Sequence, residues 1–288
     1  MLNDEHIVKV YDNLKLNFTE HFGVDYEPTF GYVNRRKHYS KWRYKSEASD
    51  WIHAQFKPLK NLHAEQKKVL VFGMGPTIND YKDIDDGTFV RAVSNGCINP
   101  ELGLDPFHLF FSCDLEPWAF EWVEPLQPRY AKFYNIHWQK YYDCYADHGA
   151  VPYMIQWTKF RTRYYVDRDG TKRDCYVQDL VKGDAETGTF VKDISKSYPQ
   201  IGGSVAMLMM QFLLFMGFLE FYLVGFDCTG AHCDNDIYYP PGYLEIGTQA
   251  HVRWHFFKKW IDKTYPKVKI FNVNPVMLKN LMDGDIYT

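Results

Sequence analysis

The sequence lacks the features of a secreted, disulfide-stabilised protein. Its six cysteines contain no CxxC pair and form no short disulfide framework; they stand at positions 97, 113, 144, 175, 228 and 233. Residues 1–15 carry charges throughout, which a signal peptide does not. We therefore expect reduced thiols and a cytoplasmic location.

Long apolar runs and a large net charge are also missing. The longest apolar run, residues 205–218, is shorter than the ~20 residues of a membrane span, so no transmembrane segment is predicted. A formal net charge of −3 gives no general attraction to nucleic acid or anionic membranes. We find no internal repeat and no low-complexity tract. Aromatic residues are abundant, at 18%, and such side chains line sugar and base sites as well as filling cores.

Residues 201–227 contain the strongest structural pattern in the sequence, and the other predicted elements are placed around it. It consists of a glycine-rich opening, an apolar run and a final carboxylate: Gly202, Gly203 and Ser204, residues 205–218, and Asp227. A run that is apolar on every side predicts a buried helix, and Gly217 predicts a turn. Residues 221–227 predict a strand covered on both faces. Glycines before a helix also leave N–H groups free for an anion, although tight packing of helix on sheet explains them equally well.

The other apolar runs predict an α/β fold with a mostly parallel sheet. The remaining strands are expected at residues 68–72, 89–93, 107–111, 130–136, 151–157 and 268–273. A long helix is expected to start near Gly247. The main domain is predicted to span residues 67–288.

Residues 1–66 are predicted to form an N-terminal extension. Apolar residues at helical spacing predict a helix in residues 6–18. Residues 35–45 alternate basic and aromatic side chains, a pattern that can hold phosphates while rings stack on bases. Such runs are more often solvated faces, so nucleic-acid binding is the less favoured interpretation.

An insertion, residues 158–200, interrupts the alternation of strands and helices. It contains a predicted β-hairpin that turns at Asp169 and Gly170, followed by a loop over residues 183–196. Because the insertion directly precedes the glycine-opened helix, we expect a mobile lid that carries acceptor contacts.

Glycines and polar residues follow the predicted strands. The first strand runs into GMGPT, residues 73–77, at the edge of the sheet where open α/β proteins bind nucleotides. This turn lacks the third glycine of the dinucleotide fingerprint and the Gly-Lys-Ser/Thr of a P-loop. Polar side chains end further strands, at Asn95, at Ser112 and Asp114, and at Asp227. Although a single one of them is explained by a helix cap, three together favour a ligand site.

The loop after Asp227 contains Cys228, His232, Cys233 and Asp234. Their spacing fits no standard zinc site, so polar ligand contacts are the better interpretation and no metal is predicted.

Taken in order, these motifs resemble a known family. The blocks GMGPT and QIGGSVA…LVGFD, residues 73–77 and 200–227, are similar to those of flagellin-modifying motility accessory factors and an archaeal 6-hydroxymethylpterin diphosphokinase. They also resemble those of bacterial sialyltransferases that use CMP-sialic acid. The resemblance covers about residues 68–275 and implies a modified Rossmann-like, nucleotide-binding fold.

The resemblance to the sialyltransferases implies roles for individual residues. Their nucleotide-holding turn and asparagine correspond to Gly73, Gly75, Pro76, Thr77 and Asn95. Ser112 stands where they have a further Asn, with Asp114 two residues on. Their arginine and serine before the buried helix correspond to Gln200 and Gly203, next to Gly202 and Ser204.

The same resemblance implies the residues that act on the leaving phosphate and the acceptor. The first of two phosphate-binding tyrosines falls on Thr229, and Tyr238 or Tyr239 could serve as the second. The family's catalytic histidine lies within two residues of His251, with His255 one turn further as the rival.

The expected reaction is transfer of a sugar from a nucleotide-sugar donor to an acceptor hydroxyl on a glycan, a protein or a nucleic acid. Histidine suits the general base because its pKa lies near neutrality. Tyrosine hydroxyls and backbone N–H groups can meet the phosphate charge without a metal or another cofactor. In the alternative, a diphosphokinase, Asp114 and Asp227 would hold Mg²⁺ against ATP. Two further alternatives use residues 35–45: a glycosyltransferase acting on modified DNA, and a nucleic-acid-binding protein.

Overall fold

The structure, a computed structural model, describes residues 4–22, 52–94, 102–112, 126–135, 151–153, 160–166, 172–178, 190–199, 204–228 and 243–288. Within these ranges three α-helices are α1 (Asp4–Phe22), α2 (Val205–Phe215) and α3 (Tyr243–Thr264). Two 3₁₀ helices span Lys57–Leu59 and Pro76–Asp80.

The central sheet has eight strands in the order β10-β9-β8-β1-β2-β3-β4-β5. Every pairing between neighbours in this sheet is parallel. The strands are β1 (Lys68–Phe72), β2 (Val90–Ser94), β3 (Leu109–Ser112), β4 (Ala131–Asn135), β5 (Val151–Tyr153), β8 (Glu220–Val224), β9 (Lys269–Val273) and β10 (Gly284–Ile286). Flanked by helices, this sheet makes the chain an α/β protein with a Rossmann-like fold.

The strand order reverses at β1. From β1 the chain adds β2, β3, β4 and β5 on one side, then returns to add β8, β9 and β10 on the other side. In open α/β sheets, ligands bind outside the carboxyl ends of the strands at such a reversal point. The junction of β1 and β8 is therefore the first place to look for a site.

Each face of the sheet has its own apolar core. On one face, side chains such as Val71, Phe111 and Phe133 pack against α1, α2 and α3. On the other, Phe72 and Phe110 pack against the 3₁₀ helix Pro76–Asp80 and residues 102–107. Because both faces are covered, the strands are apolar along most of their length.

Helix α2 is as buried as its composition predicts. Every residue from Ala206 to Phe215 is buried, including Gln211, whose exposure is 0%. Gly217 has φ +96, which confirms the turn expected there. No helix within the described residues is long and apolar enough to cross a membrane.

The described parts of the N-terminal extension pack on the sheet. Tyr11 of α1 is fully buried, and its hydroxyl lies 2.8 Å from His63 Nε2. His63 in turn contacts the Gln66 side chain, and Gln66 Nε2 donates to the Tyr130 hydroxyl at 3.2 Å. This buried polar network joins α1 to the amino end of β4. The basic-aromatic run, residues 35–45, lies outside the described residues.

The predicted hairpin in the insertion is confirmed. β6 (Phe160–Val166) and β7 (Lys172–Gln178) pair antiparallel as a separate two-stranded sheet. Residues 190–199, at the end of the insertion, are packed against the main domain. Ile194 is fully buried, and Gln211 Oε1 accepts a bond from the Val191 N–H at 3.0 Å.

Several element boundaries differ from the sequence-based prediction. The strand expected to end on Asp227 ends at Val224, because Gly225 has φ +73 and leaves the extended conformation. Helix α3 starts at Tyr243, four residues before the predicted Gly247. Strand β10 was not predicted, since Gly284–Ile286 is short and contains no apolar run.

Candidate functional site

The turns after β1 and β8 are in direct backbone contact. The Gly73 N–H donates to the Val224 carbonyl at 2.8 Å, and the Gly75 N–H donates to the Gly225 carbonyl at 2.7 Å. These bonds extend the β1–β8 pairing beyond the end of both strands. As a result, the N–H groups of both glycines are already used within the protein.

Close packing explains why glycine occupies this turn. A Cβ on Gly73 would lie 2.7 Å from the Gly225 carbonyl oxygen. A Cβ on Gly75 would lie 2.7 Å from both the Gly225 carbonyl oxygen and the Asp227 carboxyl carbon. Neither distance is tolerable for a real side chain, so two strands can approach here only through glycine.

Asp227 binds the start of the 3₁₀ helix that follows β1. Its Oδ2 accepts the Thr77 N–H at 2.9 Å, and its Oδ1 accepts the Thr77 hydroxyl. Pro76 occupies the first turn of this helix, where its missing N–H costs nothing. Asp227 is only 2% exposed, and burial is the main reason why its pKa is raised. The two bonds from Thr77 lower the pKa, whereas the nearby Asp80 raises it further.

A third segment joins the same junction. The loop after β9 places the Met277 N–H 3.2 Å from the Asp227 carbonyl oxygen. The buried side chain of Asn272 in β9 holds this loop, because its amide donates to the Leu278 carbonyl at 3.0 Å. The carboxyl ends of three neighbouring strands, β1, β8 and β9, are therefore connected through one residue.

Polar residues also end the next strands along the sheet. Ser94 ends β2, Ser112 ends β3 and Asn135 ends β4, and all three are buried. Ser112 Oγ has no hydrogen-bond partner within the described part of the chain, while its carbonyl accepts the Tyr153 hydroxyl at 2.5 Å. Asn135 was not among the predicted site residues. Its position as the polar last residue of an apolar strand could have indicated it, as it did for Ser112.

Ser204 has a clear structural role at the start of α2. Its side chain accepts the Ala206 N–H at 3.2 Å, and its backbone is extended at φ −151. Ser204 is thus an N-cap, which satisfies one of the N–H groups at the helix start. Gly202 and Gly203, which precede it, lie outside the described residues.

Helix α3 passes the junction on the face that carries α2. Its Trp254 packs edge-on against Phe226, with the ring centroids 5.4 Å apart. The end of α3 leads to the start of β9, so the helix segment before Trp254 lies towards the carboxyl edge of the sheet. His251 belongs to that segment, one turn before His255, which is exposed.

The structure thus brings together part of the predicted site. Gly73, Gly75, Pro76, Thr77 and Asp227 meet at the junction, whereas Ser112 lies two strands away on β3. Of His251 only the position in α3 is described. The remaining predicted site residues lie outside the described ranges: Asn95, Asp114, Gly202, Gly203, Thr229, Tyr238 and Tyr239. In the described ranges no group of three His, Cys, Asp or Glu residues is arranged to hold a metal ion.

The parallel sheet and its strand order define a Rossmann-like α/β protein. At the point where the strand order reverses, the turns after β1 and β8 are joined by backbone hydrogen bonds. No family model matches the chain, and no curated protein matches it significantly. The solved sialyltransferase CST-II, in complex with trisaccharide acceptor and CMP, is similar at TM-score 0.38 and 12% identity, over 72% of this chain and 80% of that chain. A single-substitution variant of CST-II in complex with CMP gives TM-score 0.36 and 12% identity, with the same coverage.

Proposed function

We propose that this protein is a glycosyltransferase that transfers a sugar from a nucleotide-sugar donor to an acceptor hydroxyl. The observation that carries the proposal is the junction of β1 and β8, where the glycine turn and Asp227 meet at the reversal point of an all-parallel sheet. That position favours a nucleotide ligand. The sugar-transfer part rests on the resemblance of residues 73–77 and 200–227 to the sialyltransferase motifs.

The nucleotide is proposed to lie over the carboxyl edge between β8 and β3. Because the N–H groups of Gly73, Gly75 and Thr77 are bonded within the protein, they are not available to a phosphate. Side chains at the strand ends then supply the polar contacts, with Ser112 and the predicted Asn95 and Asp114 as candidates. The buried Ser112 hydroxyl supports this, since it has no partner in the described ranges.

His251 is the proposed general base. Its position in α3, one turn before the Trp254 that packs on Phe226, supports a location at the carboxyl edge. In this mechanism the base removes the proton of the acceptor hydroxyl while that oxygen attacks the anomeric carbon. The bond between the anomeric carbon and the donor phosphate breaks, and Tyr238, Tyr239 and Thr229 are proposed to donate hydrogen bonds to the departing phosphate.

The test starts with nucleotide binding. Thermal shift and calorimetry with CMP, UDP, GDP and ATP identify the base, and incubation with the matching nucleotide-sugar then measures donor hydrolysis and transfer. We expect a nucleoside monophosphate or diphosphate to bind without Mg²⁺. If only Mg²⁺–ATP binds and EDTA abolishes the reaction, the diphosphokinase alternative is correct instead.

Replacing His251 tests the mechanism. His251→Ala should lower turnover by about two to four orders of magnitude, the usual contribution of a general base, with donor affinity little changed. His255→Ala is the matched control, because His255 is exposed one turn further along the same helix. If His251→Ala leaves turnover unchanged and His255→Ala abolishes it, His255 is the general base instead.

A further inference from the structure

Asp227 is a conspicuous carboxylate of the proposed nucleotide site, yet its surroundings leave it little contact with a ligand. Unlike the Ser112 hydroxyl, which has no partner in the described ranges, each carboxylate oxygen of Asp227 already accepts a hydrogen bond from Thr77. The Gly75 backbone packs so closely against this carboxylate that not even a Cβ would fit between them. A group enclosed in this way does not reach a nucleotide above the sheet.

The same residue connects segments that are far apart in the sequence. Thr77 and Asp227 are 150 positions apart, and the Asp227 carboxylate accepts both the backbone N–H and the hydroxyl of Thr77, which connects the turn after β1 to the segment after β8. The Asp227 carbonyl also accepts the Met277 N–H from the loop after β9. Asp227 therefore helps to hold three strand-end segments together, beside the backbone bonds from Gly73 to Val224 and from Gly75 to Gly225.

We propose that Asp227 is a positioning residue: it holds the turn of residues 73–77 against the end of β8 through Thr77, and it touches neither the nucleotide nor a metal ion. Thr77 then acts as the partner of Asp227, with its hydroxyl directed at the carboxylate and not at the ligand. This inference rests on the nucleotide site proposed above, and it assigns the two residues a different role from that of a direct ligand contact.

The hydrogen-bond chemistry of the pair makes the proposal testable. An asparagine at position 227 can keep both bonds: its carbonyl oxygen accepts the Thr77 N–H, and its amide N–H₂ donates to the Thr77 hydroxyl, which is both a donor and an acceptor. Asp227→Ala loses both bonds, and Thr77→Val loses the hydroxyl bond. A carboxylate that contacted a ligand or Mg²⁺ would instead lose its function equally in Asp227→Asn and Asp227→Ala.

The chain contains a matched control pair. Asp86 accepts both the N–H of Thr88, at 3.0 Å, and its hydroxyl, at 2.5 Å, which is the same donor set that Thr77 offers to Asp227. This pair lies near Lys68 at the amino end of β1, on the opposite edge of the sheet. Asp86→Ala therefore removes the same donor set from an exposed carboxylate away from the site.

The first measurement is the Kd of CMP by calorimetry, on variants shown to be folded at the working temperature. Because the turn after β1 loses its anchor to the end of β8, Thr77→Val and Asp227→Ala should weaken CMP binding by about tenfold, which corresponds to about 1.4 kcal/mol. Asp227→Asn and Thr77→Ser should stay within about threefold of wild type, and Asp86→Ala should leave the Kd unchanged.

A merely structural role would lower the melting temperature of Asp227→Ala without changing the Kd, and that result would overturn the proposal. Equal loss in Asp227→Asn and Asp227→Ala, with Thr77→Val unaffected, would show that the carboxylate touches the ligand and would also overturn it.

Amide hydrogen exchange tests the positioning role without any nucleotide. The Thr77 and Gly75 amides should be protected in wild type and in Asp227→Asn, and both should exchange faster in Asp227→Ala. Unchanged exchange in Asp227→Ala would refute the role of Asp227. If wild type binds none of the nucleotides tested, the proposed function fails while the exchange result still decides the positioning proposal.

Discussion

At the scale of single residues, Gly75 has the strictest steric requirement in the described site. Gly75→Ala forces a Cβ against Asp227 Oδ2 and to within 2.7 Å of both the Gly225 carbonyl oxygen and the Asp227 carboxyl carbon. We expect the free energy of unfolding to fall by about 1–3 kcal/mol, the usual cost of overpacking. Urea unfolding followed by circular dichroism measures this change.

Gly87 provides the control for that substitution. It has φ +83 and no atom within 4 Å of an added Cβ, so Gly87→Asn adds a side chain in open space with a residue that tolerates this backbone conformation. Its cost should be well below that of Gly75→Ala. Equal costs would mean that close packing is not what requires glycine at position 75.

His63 predicts how stability depends on pH. Its pKa is lowered to about 4, mainly by burial and to a smaller extent by the nearby His108, although the contact with Gln66 acts in the opposite direction. Because the unfolded chain binds a proton near pH 6.5 and the folded chain does not, stability is highest above that pH and falls between about 6.5 and 4. From pH 7 to 5 the contribution of His63 should fall by about 2 kcal/mol, at about 1.4 kcal/mol per pKa unit.

Because other groups titrate in the same pH range, the contribution of His63 is obtained by comparing the pH dependence of stability in wild type and in His63→Gln. Burial also lowers the pKa of His108 to about 4, with the same sign, whereas the raised pKa of Asp227 acts with the opposite sign. The loss of stability on acidification should therefore be smaller in His63→Gln than in wild type. Identical losses in the two proteins would contradict the assignment of His63 as a buried neutral group.

The sequence indicated some residues of the junction but not their partners. The sequence predicted a glycine turn at the carboxyl end of the first strand, and the structure places Gly73 and Gly75 there, although their close packing against Gly225 and Asp227 was not predicted. The sequence pattern could not indicate that Asp227 would bind Thr77, because that contact depends on which strand lies next to β1. A pattern within one segment contains no information about a neighbour 150 positions away.

At the scale of secondary-structure elements, residues 190–199 form a tethered segment. Phe190 packs on Phe257 with ring centroids 4.6 Å apart, and Gln211 holds the Val191 N–H at 3.0 Å. Although the sequence suggests an open loop here, we expect trypsin to cut slowly after the exposed Lys192 and Lys196 in the native protein. Gln211→Met should raise the rate of these cuts by about five- to tenfold, since one buried hydrogen bond is worth about 1 kcal/mol.

Tyr265→Phe is the comparison for the Gln211 variant. The Tyr265 hydroxyl donates to the Lys192 carbonyl at 3.1 Å, but this bond is exposed to water. Its loss should change the cutting rate less than Gln211→Met does. Rapid cutting after Lys192 in the wild-type protein would show that the segment is mobile after all.

Elements with strong local patterns were predictable. Strand β1 is observed where its apolar run placed it, and β6 and β7 pair antiparallel on either side of the predicted turn, whose residues Asp169 and Gly170 lie outside the described ranges. Strand β10 escaped prediction because Gly284–Ile286 has no pattern of its own and forms only against β9. Helix α3 starts before its predicted start because the four residues ahead of Gly247, from Tyr243 to Ile246, include no helix breaker, whereas Pro240, Pro241 and Gly242 precede them.

At the scale of the whole molecule, α1 contributes to the same core as the sheet. Leu14 is 4% exposed within this core, whereas Leu16 on the same helix is 55% exposed. Leu14→Ala should therefore lower the global free energy of unfolding by about 2–5 kcal/mol, while Leu16→Ala should change it by less than about 0.5 kcal/mol. Urea unfolding of the full chain tests this, and an unchanged main transition in Leu14→Ala would show that α1 unfolds as a separate unit.

The fold class was predictable because alternating apolar runs and helical patterns define an α/β protein. The strand order was not, since β8 and β2 have equally apolar sequences and either could pair with β1 on a given side. Which strand ends lie beside the turn after β1 follows from this order and therefore required the structure.

The pairing of β1 with β8 also has a consequence for the synthesis of this protein on the ribosome. β1 is translated early, but its second neighbour follows only after about 150 more residues, on the order of ten seconds later at ~5–20 residues per second. During this interval the strand destined for the centre of the sheet has one open edge, the kind of edge that recruits strands from other chains. A nascent chain released before Val224 would keep that edge open, so truncated translation products of this protein should aggregate while the full-length chain does not.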